Sequence, residues 1–340
     1  MSREIRWGIL GCGNIANKFA EGLKVLDNAR LHAVASRSQA KADEFAAKHG
    51  AKVACGSYEQ MLAREDVDVV YIASPHSEHC SHAILCLEAG KAVLCEKPLA
   101  RNTGECLRMV ECARGKGLFL MEAMWTRFLP VFVQVREWIS KGAIGCPLML
   151  HADFSFRTNF NPTSRLFDPA LAGGGLLDVG VYTIALAQMV FGSRPTEIRS
   201  LANLGTTGVD EQNALLLGYA GGGLALLSSG VRTPGSMAAR ITGSEGAIEI
   251  PSFFNAKEAT LKPLGGAAET CRPEFVGTGY NYQAVEVMRC LQENLKESPI
   301  MPLEESLDIA RIMDRARLEW GVFYPGEDAE ELRRLAKPSN

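Results

Sequence analysis

The 340-residue sequence has no excess of positive charge: 36 Lys and Arg stand against 39 Asp and Glu, for a formal net charge of −3. That excludes the basic footprint of a nucleic-acid binder and a patch for anionic lipid. There is no uninterrupted apolar run near the roughly 18 residues that span a bilayer, so no membrane segment is expected. The chain opens on mixed charges and enters an apolar strand at once, with no h-region, so a cytoplasmic protein without a signal peptide is expected. Ten cysteines are present, none in C-x-x-C spacing. Cys12, Cys95 and several others lie in apolar or glycine-rich elements, which predicts reduced thiols rather than a disulfide framework. No internal repeat and no low-complexity tract interrupts the chain. Its length favours two domains.

What is present begins with the turn Leu10-Gly11-Cys12-Gly13-Asn14-Ile15-Ala16. It follows the apolar run Ile5 to Leu10 and precedes a helix-like stretch, Ile15 to Leu26, the strand–turn–helix context that a G-x-G-x-x-G/A dinucleotide fingerprint requires. Gly11 makes the tight turn, Gly13 lets the backbone approach a pyrophosphate, and Ala16 allows close helix–strand packing. The helix start offers free N–H groups to the phosphates, so Gly11, Cys12, Gly13, Asn14 and Ile15 are candidate cofactor ligands. An NAD-type fold places an acidic residue at the end of the next strand, Arg30 to Arg37, to take the ribose hydroxyls. This chain has none; Ser36 and Arg37 stand there. A hydroxyl and a guanidinium suit a 2′-phosphate, so NADP(H) is expected over NAD.

Strands and helices then alternate as in a doubly wound parallel sheet: strands at 52–55, 67–73, 92–95 and 118–121, helices at 38–49, after Ser57, and at 78–89 and 103–116. Six strands complete a Rossmann domain over 1–123. Residues 124–340 read as a second α/β domain for substrate binding and dimerisation. It has a helix at 129–141, a long strand at 147–156, a helix at 176–191, and successive strands between 196 and 250. Consecutive strands imply a large, mostly antiparallel, meander-like open sheet. Two helices, 282–296 and 303–320, close the chain, the last free to pack back on the first domain.

Two stretches carry chemistry. Cys95-Glu96-Lys97-Pro98 stands at the carboxyl end of the fifth strand, where doubly wound sheets bind ligands, so Lys97 is aimed at the nicotinamide. Pro98 fixes the turn, a cis bond being one option. In Gly173-Gly174-Gly175-Leu176-Leu177-Asp178-Val179-Gly180-Val181-Tyr182, Asp178 and Tyr182 are four apart and share a helix face. A Tyr hydroxyl near a Lys ammonium is a workable general acid/base, because an adjacent cation stabilises the phenolate. His76-x-x-His79-x-x-His82 invites a metal reading. Zinc helices use i, i+4 ligands with a further ligand elsewhere, so no metal is expected. His76 near the nicotinamide and His79 at the helix start join Ser74, Glu96 and Lys97 as cofactor candidates.

These residues resemble the Gfo/Idh/MocA oxidoreductases. The markers are Gly11-x-Gly13-x-x-Ala16, Pro75-x-x-x-His79, Gly90-Lys91 leading to Glu96-Lys97-Pro98, and Gly173-Gly174-Gly175-x-x-Asp178-x-Gly180-x-Tyr182. Many members carry His where this chain has Tyr182. The Tyr version, with Met121 to Phe128, is most similar to the dimeric dihydrodiol dehydrogenase and NADP-dependent xylose dehydrogenase branch. The resemblance implies an NADP-dependent homodimer, joined sheet to sheet, that interconverts carbinol and carbonyl on a vicinal diol, sugar or polyol and reduces dicarbonyls. It implies Tyr182 as proton donor/acceptor, Lys97 as its partner and Asp178 as the pocket acid. Trp125, Arg127 and Phe154 then bind substrate, and Arg157 and Arg165, in the loop Phe156 to Phe167, are candidates for holding substrate oxygens. Two alternatives are a glucose–fructose oxidoreductase type that retains its cofactor and a non-catalytic NADP-sensing regulator. The first goes with an export signal and an N-terminal arm. The second has no need of Lys97 and Tyr182 together.

Overall fold

A computed structural model describes residues 3–192 and 194–336; the outermost residues of the two expected domains, 1–2 and 337–340, lie outside the described residues. The chain divides into two compact units. The first takes the chain up to Ala100, Glu105–Trp125 and Val276–Ser306; the second takes Arg101–Gly104, Thr126–Phe275 and the chain from Leu307.

The first unit alternates β1 (Ile5–Leu10), α1 (Asn14–Leu23), β2 (Ala29–Ala35), α2 (Gln39–His49), β3 (Val53–Cys55), α3 (Tyr58–Leu62), β4 (Val69–Ile72), α4 (His79–Glu88), β5 (Ala92–Glu96), α5 (Thr103–Lys116) and β6 (Leu120–Ala123). Its sheet has the order β3-β2-β1-β4-β5-β6, with every pair parallel. That is the doubly wound order, and it puts the ligand crevice at the carboxyl ends of β1 and β4. Ser38 caps α2 by accepting from Lys41 N, and Ser57 caps α3 by accepting from Gln60 N; each satisfies an orphan N–H of a helix start. Behind the sheet Trp7 meets Phe19 edge-on at 5.1 Å, and Phe19 stacks on Tyr71 at 3.8 Å, which locks α1 to β1 and β4.

A late segment completes this unit. Its helix, Tyr280–Gln292, approaches α1 closely: a Cβ at Gly22 would lie 3.0 Å from Asn281 N and 2.8 Å from the Thr278 hydroxyl. Thr278 also donates to Lys18 O at 3.0 Å. The sequence shows two closing helices but not that the earlier one joins the first sheet's unit.

The second unit contains α6 (Pro130–Ser140), β7 (Pro147–Ser155), a π turn (Leu176–Gly180) running into α7 (Val181–Phe191), then β8 (Glu197–Leu204), β9 (Asp210–Gly218), β10 (Leu224–Gly230), β11 (Ala239–Gly243), β12 (Gly246–Ile250), β13 (Ala259–Pro263) and β14 (Glu269–Cys271). The helix already described, Tyr280–Gln292, is α8; α9 (Leu303–Trp320) and α10 (Ala329–Leu335) follow. The eight-stranded order is β14-β13-β12-β11-β7-β10-β9-β8. The sheet is antiparallel except that β7 and β10 run parallel, so the expected meander is interrupted: β7 sits between the consecutive strands β10 and β11. Pairing across such a sequence distance leaves no local trace, because each strand still reads as an ordinary alternation. The helical stretch Pro169–Phe191 has a mean hydropathy of 1.6 over its most apolar window, enough by length and composition to cross a membrane, yet 89% of that window is buried in the fold. It is a core helix.

The 101–104 segment is fastened to α9 by buried charge. Arg317, 1% exposed, donates to Asp314 at 2.7 Å, to Glu327 at 2.8 and 3.0 Å and to Arg101 O at 3.3 Å. Asp314 accepts from Thr103 N at 2.7 Å. Burial alone would favour neutral Arg317; its two carboxylate partners hold it protonated far above neutral pH. Replacing Arg317 by Met strands those carboxylates, so unfolding is expected to cost about 3–5 kcal/mol less, read from denaturant midpoints.

Candidate active site

In the first unit the glycine turn is built as a cradle. Gly11 has a φ of +94°, and its Cβ would meet Ala73 O at 3.2 Å, so glycine is required for both conformation and space. Gly13 is different. A Cβ there would come no closer than 4.0 Å to protein, so the room it leaves opens on the turn itself. Gly13 is the N-cap of α1 and no side chain caps that helix, which leaves its first N–H groups for an anion. Burial pushes the Cys12 thiol up to about 11, so it stays neutral. These residues fit a dinucleotide pyrophosphate.

At the end of β2, Ser36 is buried and its hydroxyl accepts from Ser38 N at 3.3 Å. Arg37 is exposed and has no hydrogen-bond or ion-pair partner among the described residues. Its charge disfavours protonation of His82 and favours ionisation of Tyr58, so both lie within its field. His82 in turn pairs with the Ser74 hydroxyl at 2.9 Å.

The Lys97 turn is braced from its neighbours. Glu96 is buried; it accepts from Tyr71 Oη at 2.5 Å and from Lys97 N at 3.2 Å. The Lys97–Pro98 bond is cis. His79, fully buried, places Nδ1 2.8 Å from Pro98 O and Nε2 3.0 Å from Ser74 O, so it ties the end of β4 to this turn. Burial is the largest influence on it and brings its pKa down to about 4, against the two carbonyls, which favour the protonated ring; the neutral ring has one N–H and donates to only one of them. Leu99 N donates to Glu122 Oε1 at 3.0 Å. His76 is half-buried with its ring 5.6 Å from His79. Trp125 stacks on Tyr280 at 4.4 Å, and burial raises the Tyr280 pKa well above the usual range, with Glu96 adding to it. Sequence reasoning assigns neither Glu122 nor Tyr280 a role; one lies within β6 and the other opens a helix 158 positions later.

In the second unit Asp178 lies in the π turn and Tyr182 in the first turn of α7, so the pair does not share a regular α-helical face as the spacing implied. Such single π turns inside helices are frequent at functional sites. Both side chains are buried. Phe154 of β7 is 5.2 Å from the Tyr182 ring and stacks on Phe254 at 4.5 Å. Arg165 donates to Asp178 Oδ1 at 2.6 Å, with Arg165 56% exposed and Asp178 7%. Arg157 is exposed. Arg127 is buried and donates to Ala185 O at 2.8 Å, so its guanidinium is turned to the backbone of α7.

A glycine cradle at a helix start, at the carboxyl ends of a doubly wound parallel sheet, is the architecture of a nicotinamide-nucleotide-binding domain. The family comparisons agree. Residues 5–124 match the model described as an oxidoreductase family with an NAD-binding Rossmann fold, and 132–249 match the GFO/IDH/MocA C-terminal domain; the chain belongs to the GFO/IDH/MocA family. It is 38% identical over 337 residues to trans-1,2-dihydrobenzene-1,2-diol dehydrogenase of Xenopus tropicalis, covering 94% of this chain and 99% of that one. The human enzyme of that name is 37% identical over 331 residues, covering 94% and 98%. Among solved structures, a 3-ketoreductase from Actinomadura kijaniata in complex with NADP and TDP-benzene superposes with a TM-score of 0.82 at 26% identity, covering 93% of this chain and 97% of that one. That ketoreductase has also been solved with a tyrosine changed to phenylalanine and with a lysine changed to alanine.

Proposed function

We propose that the protein is an NADP(H)-dependent dehydrogenase that interconverts a carbinol and a carbonyl on a vicinal diol, sugar or polyol. The observation that carries this is the full-length likeness to trans-1,2-dihydrobenzene-1,2-diol dehydrogenases. The bound nicotinamide supplies the hydride acceptor in oxidation and the donor in reduction. The chain's own residues manage the oxygen. Tyr182 Oη takes the hydroxyl proton as the carbon loses hydride and returns it on reduction. Lys97 stabilises the phenolate, and Asp178 with Arg165 orients the neighbouring hydroxyl. Phe154 and Trp125 supply apolar walls for the ring or carbon chain. Ser74, His76, His79 and Glu96 set the nicotinamide end of the cofactor site, His79 and Glu96 through the Lys97 turn.

NADP specificity rests on Ser36 and Arg37. An exposed guanidinium with no ion-pair partner among the described residues is available for a 2′-phosphate, whereas NADH offers it only hydroxyls. Arg37→Ala is expected to raise the NADPH Kd about 10- to 100-fold, as loss of a charge-assisted bond implies, and to leave the NADH Kd nearly unchanged. Fluorescence titration of both nucleotides measures this. The reaction class is tested by following absorbance at 340 nm with NADP+ and a panel of trans-dihydrodiols, xylose and other polyols. No turnover of any diol or sugar would refute it.

The second unit's sheet also suggests a homodimer. Its outward ladder carries Leu201, Leu216, Leu224 and Leu226, each 38–80% exposed, on three adjacent strands. An apolar face of that kind is ordinarily covered by a partner, and a second copy of the chain in a cytoplasmic dimer accounts for it.

A further inference from the structure

Asp210, the first residue of β9, is fully buried. Its Oδ2 accepts from Leu176 N at 2.8 Å, the first backbone N–H of the π turn, and from Asn213 Nδ2 at 2.7 Å. Asn213 Oδ1 accepts from the Ser229 hydroxyl of β10 at 2.9 Å. A polar chain from two strands thus runs beneath the turn that carries Asp178 and leads into Tyr182. The turn's glycines are shaped to that chain. A Cβ at Gly174 would lie 2.3 Å from Asp210 Oδ1, at Gly175 3.2 Å from Oδ2, and at Gly180 2.8 Å from Ser229 Oγ. Gly174 also has a φ of +118°, a conformation other residues rarely adopt. Asp210 Oδ1 itself has no hydrogen-bond partner among the described residues, although it is out of contact with solvent. A buried carboxylate with one oxygen left without a hydrogen-bond partner is an expensive choice for a merely structural prop.

We propose that Asp210 is a positioning residue for Tyr182, holding the π turn in its working conformation through the ionised carboxylate and releasing that hold when it takes a proton. The inference rests on Tyr182 being the proton carrier. The groups facing Asp210 set the pH at which the change occurs. Burial pushes its carboxyl up to about 7; the Asn213 amide, the Leu176 N–H, its own backbone N–H and the field of Arg317 on α9 oppose that rise. Tyr324, which donates to Gly173 O at 2.6 Å, is a further titratable group within its field. A proton arriving on Oδ1 turns an acceptor into a donor that faces Gly174.

Carbonyl reduction separates this role from that of Tyr182. In reduction the phenol must carry a proton, so its own ionisation lowers the rate on the alkaline side, and a loss on the acid side belongs to another group. With NADPH and a vicinal diketone such as 2,3-butanedione, wild-type kcat is expected to fall on the acid side with an apparent pKa near that of Asp210. Asp210→Asn, a mimic of the neutral acid, is expected to have kcat about tenfold lower at pH 8 and no acid limb, with NADPH affinity by fluorescence nearly unchanged. Asn213→Ala keeps the carboxylate but removes a donor, so the acid limb should move to higher pH; this variant decides the matter if Asp210→Asn does not fold. A wild-type acid limb in Asp210→Asn, or an unmoved limb in Asn213→Ala, overturns the proposal. Full activity of Tyr182→Phe would instead refute the reading on which it stands.

Discussion

Tyr182→Phe is expected to lower kcat about a thousandfold in both directions, the size of a general acid/base contribution, while NADPH binding stays nearly unchanged. The hydroxyl is the only atom removed. The ring still packs 5.2 Å from Phe154 at the start of α7, so the aromatic wall survives. A loss confined to kcat identifies an interaction made in the transition state; a rise in KM alone would mean that the hydroxyl only binds substrate. Steady-state rates at 340 nm, with and without the hydroxyl, measure the difference.

Lys97→Met is expected to lower kcat about a hundredfold and to shift the acid limb of diol oxidation to higher pH, because the phenolate loses a stabilising cation. The turn that presents Lys97 should remain in place. Tyr71 and His79 brace its neighbours Glu96 and Pro98, and Glu122 takes Leu99 N, all without the lysine side chain. NADPH titration checks that point, since a collapsed turn would disturb the cofactor site as well. A pH–rate profile of Lys97→Met that merely scales the wild-type curve would remove Lys97 from the proton chemistry.

The doubly wound sheet was legible because parallel strands buried on both faces appear as short apolar runs, and the helices between them carry local punctuation such as Ser38 and Ser57. α5 and α9 fall at the expected residues for the same reason. The second sheet was legible as strands but not as an order. Its β7 pairs with β10 and β11, partners far away in sequence, whereas the short strands β13 and β14 form a local hairpin across a glycine-rich turn. The strand expected at 118–121 lies two residues later, at Leu120–Ala123, where pairing with β5 begins.

The candidate site divides in the same way. Motif residues such as Gly11, Gly13, Lys97, Asp178 and Tyr182 announce themselves by spacing. Their supports do not: Glu122 lies in a segment marked only for its family likeness, Tyr280 and Asp210 in unremarkable ones, and only folding brings them under a motif. Asp178 and Tyr182 were placed on one α-helical face, but the buried chain beneath Gly174 to Gly180 accompanies a π turn instead. Arg127, expected at the substrate, donates to Ala185 O of α7.

The central claim is that Lys97 works through the Tyr182 hydroxyl, although the two belong to different units of the chain. A double-mutant cycle tests it most directly. If Lys97 acts on the phenol, Lys97→Met in the Tyr182→Phe background should change kcat by less than about threefold. Multiplication of the two single-variant losses would mean that they act independently, and the proton-transfer pair would have to be abandoned.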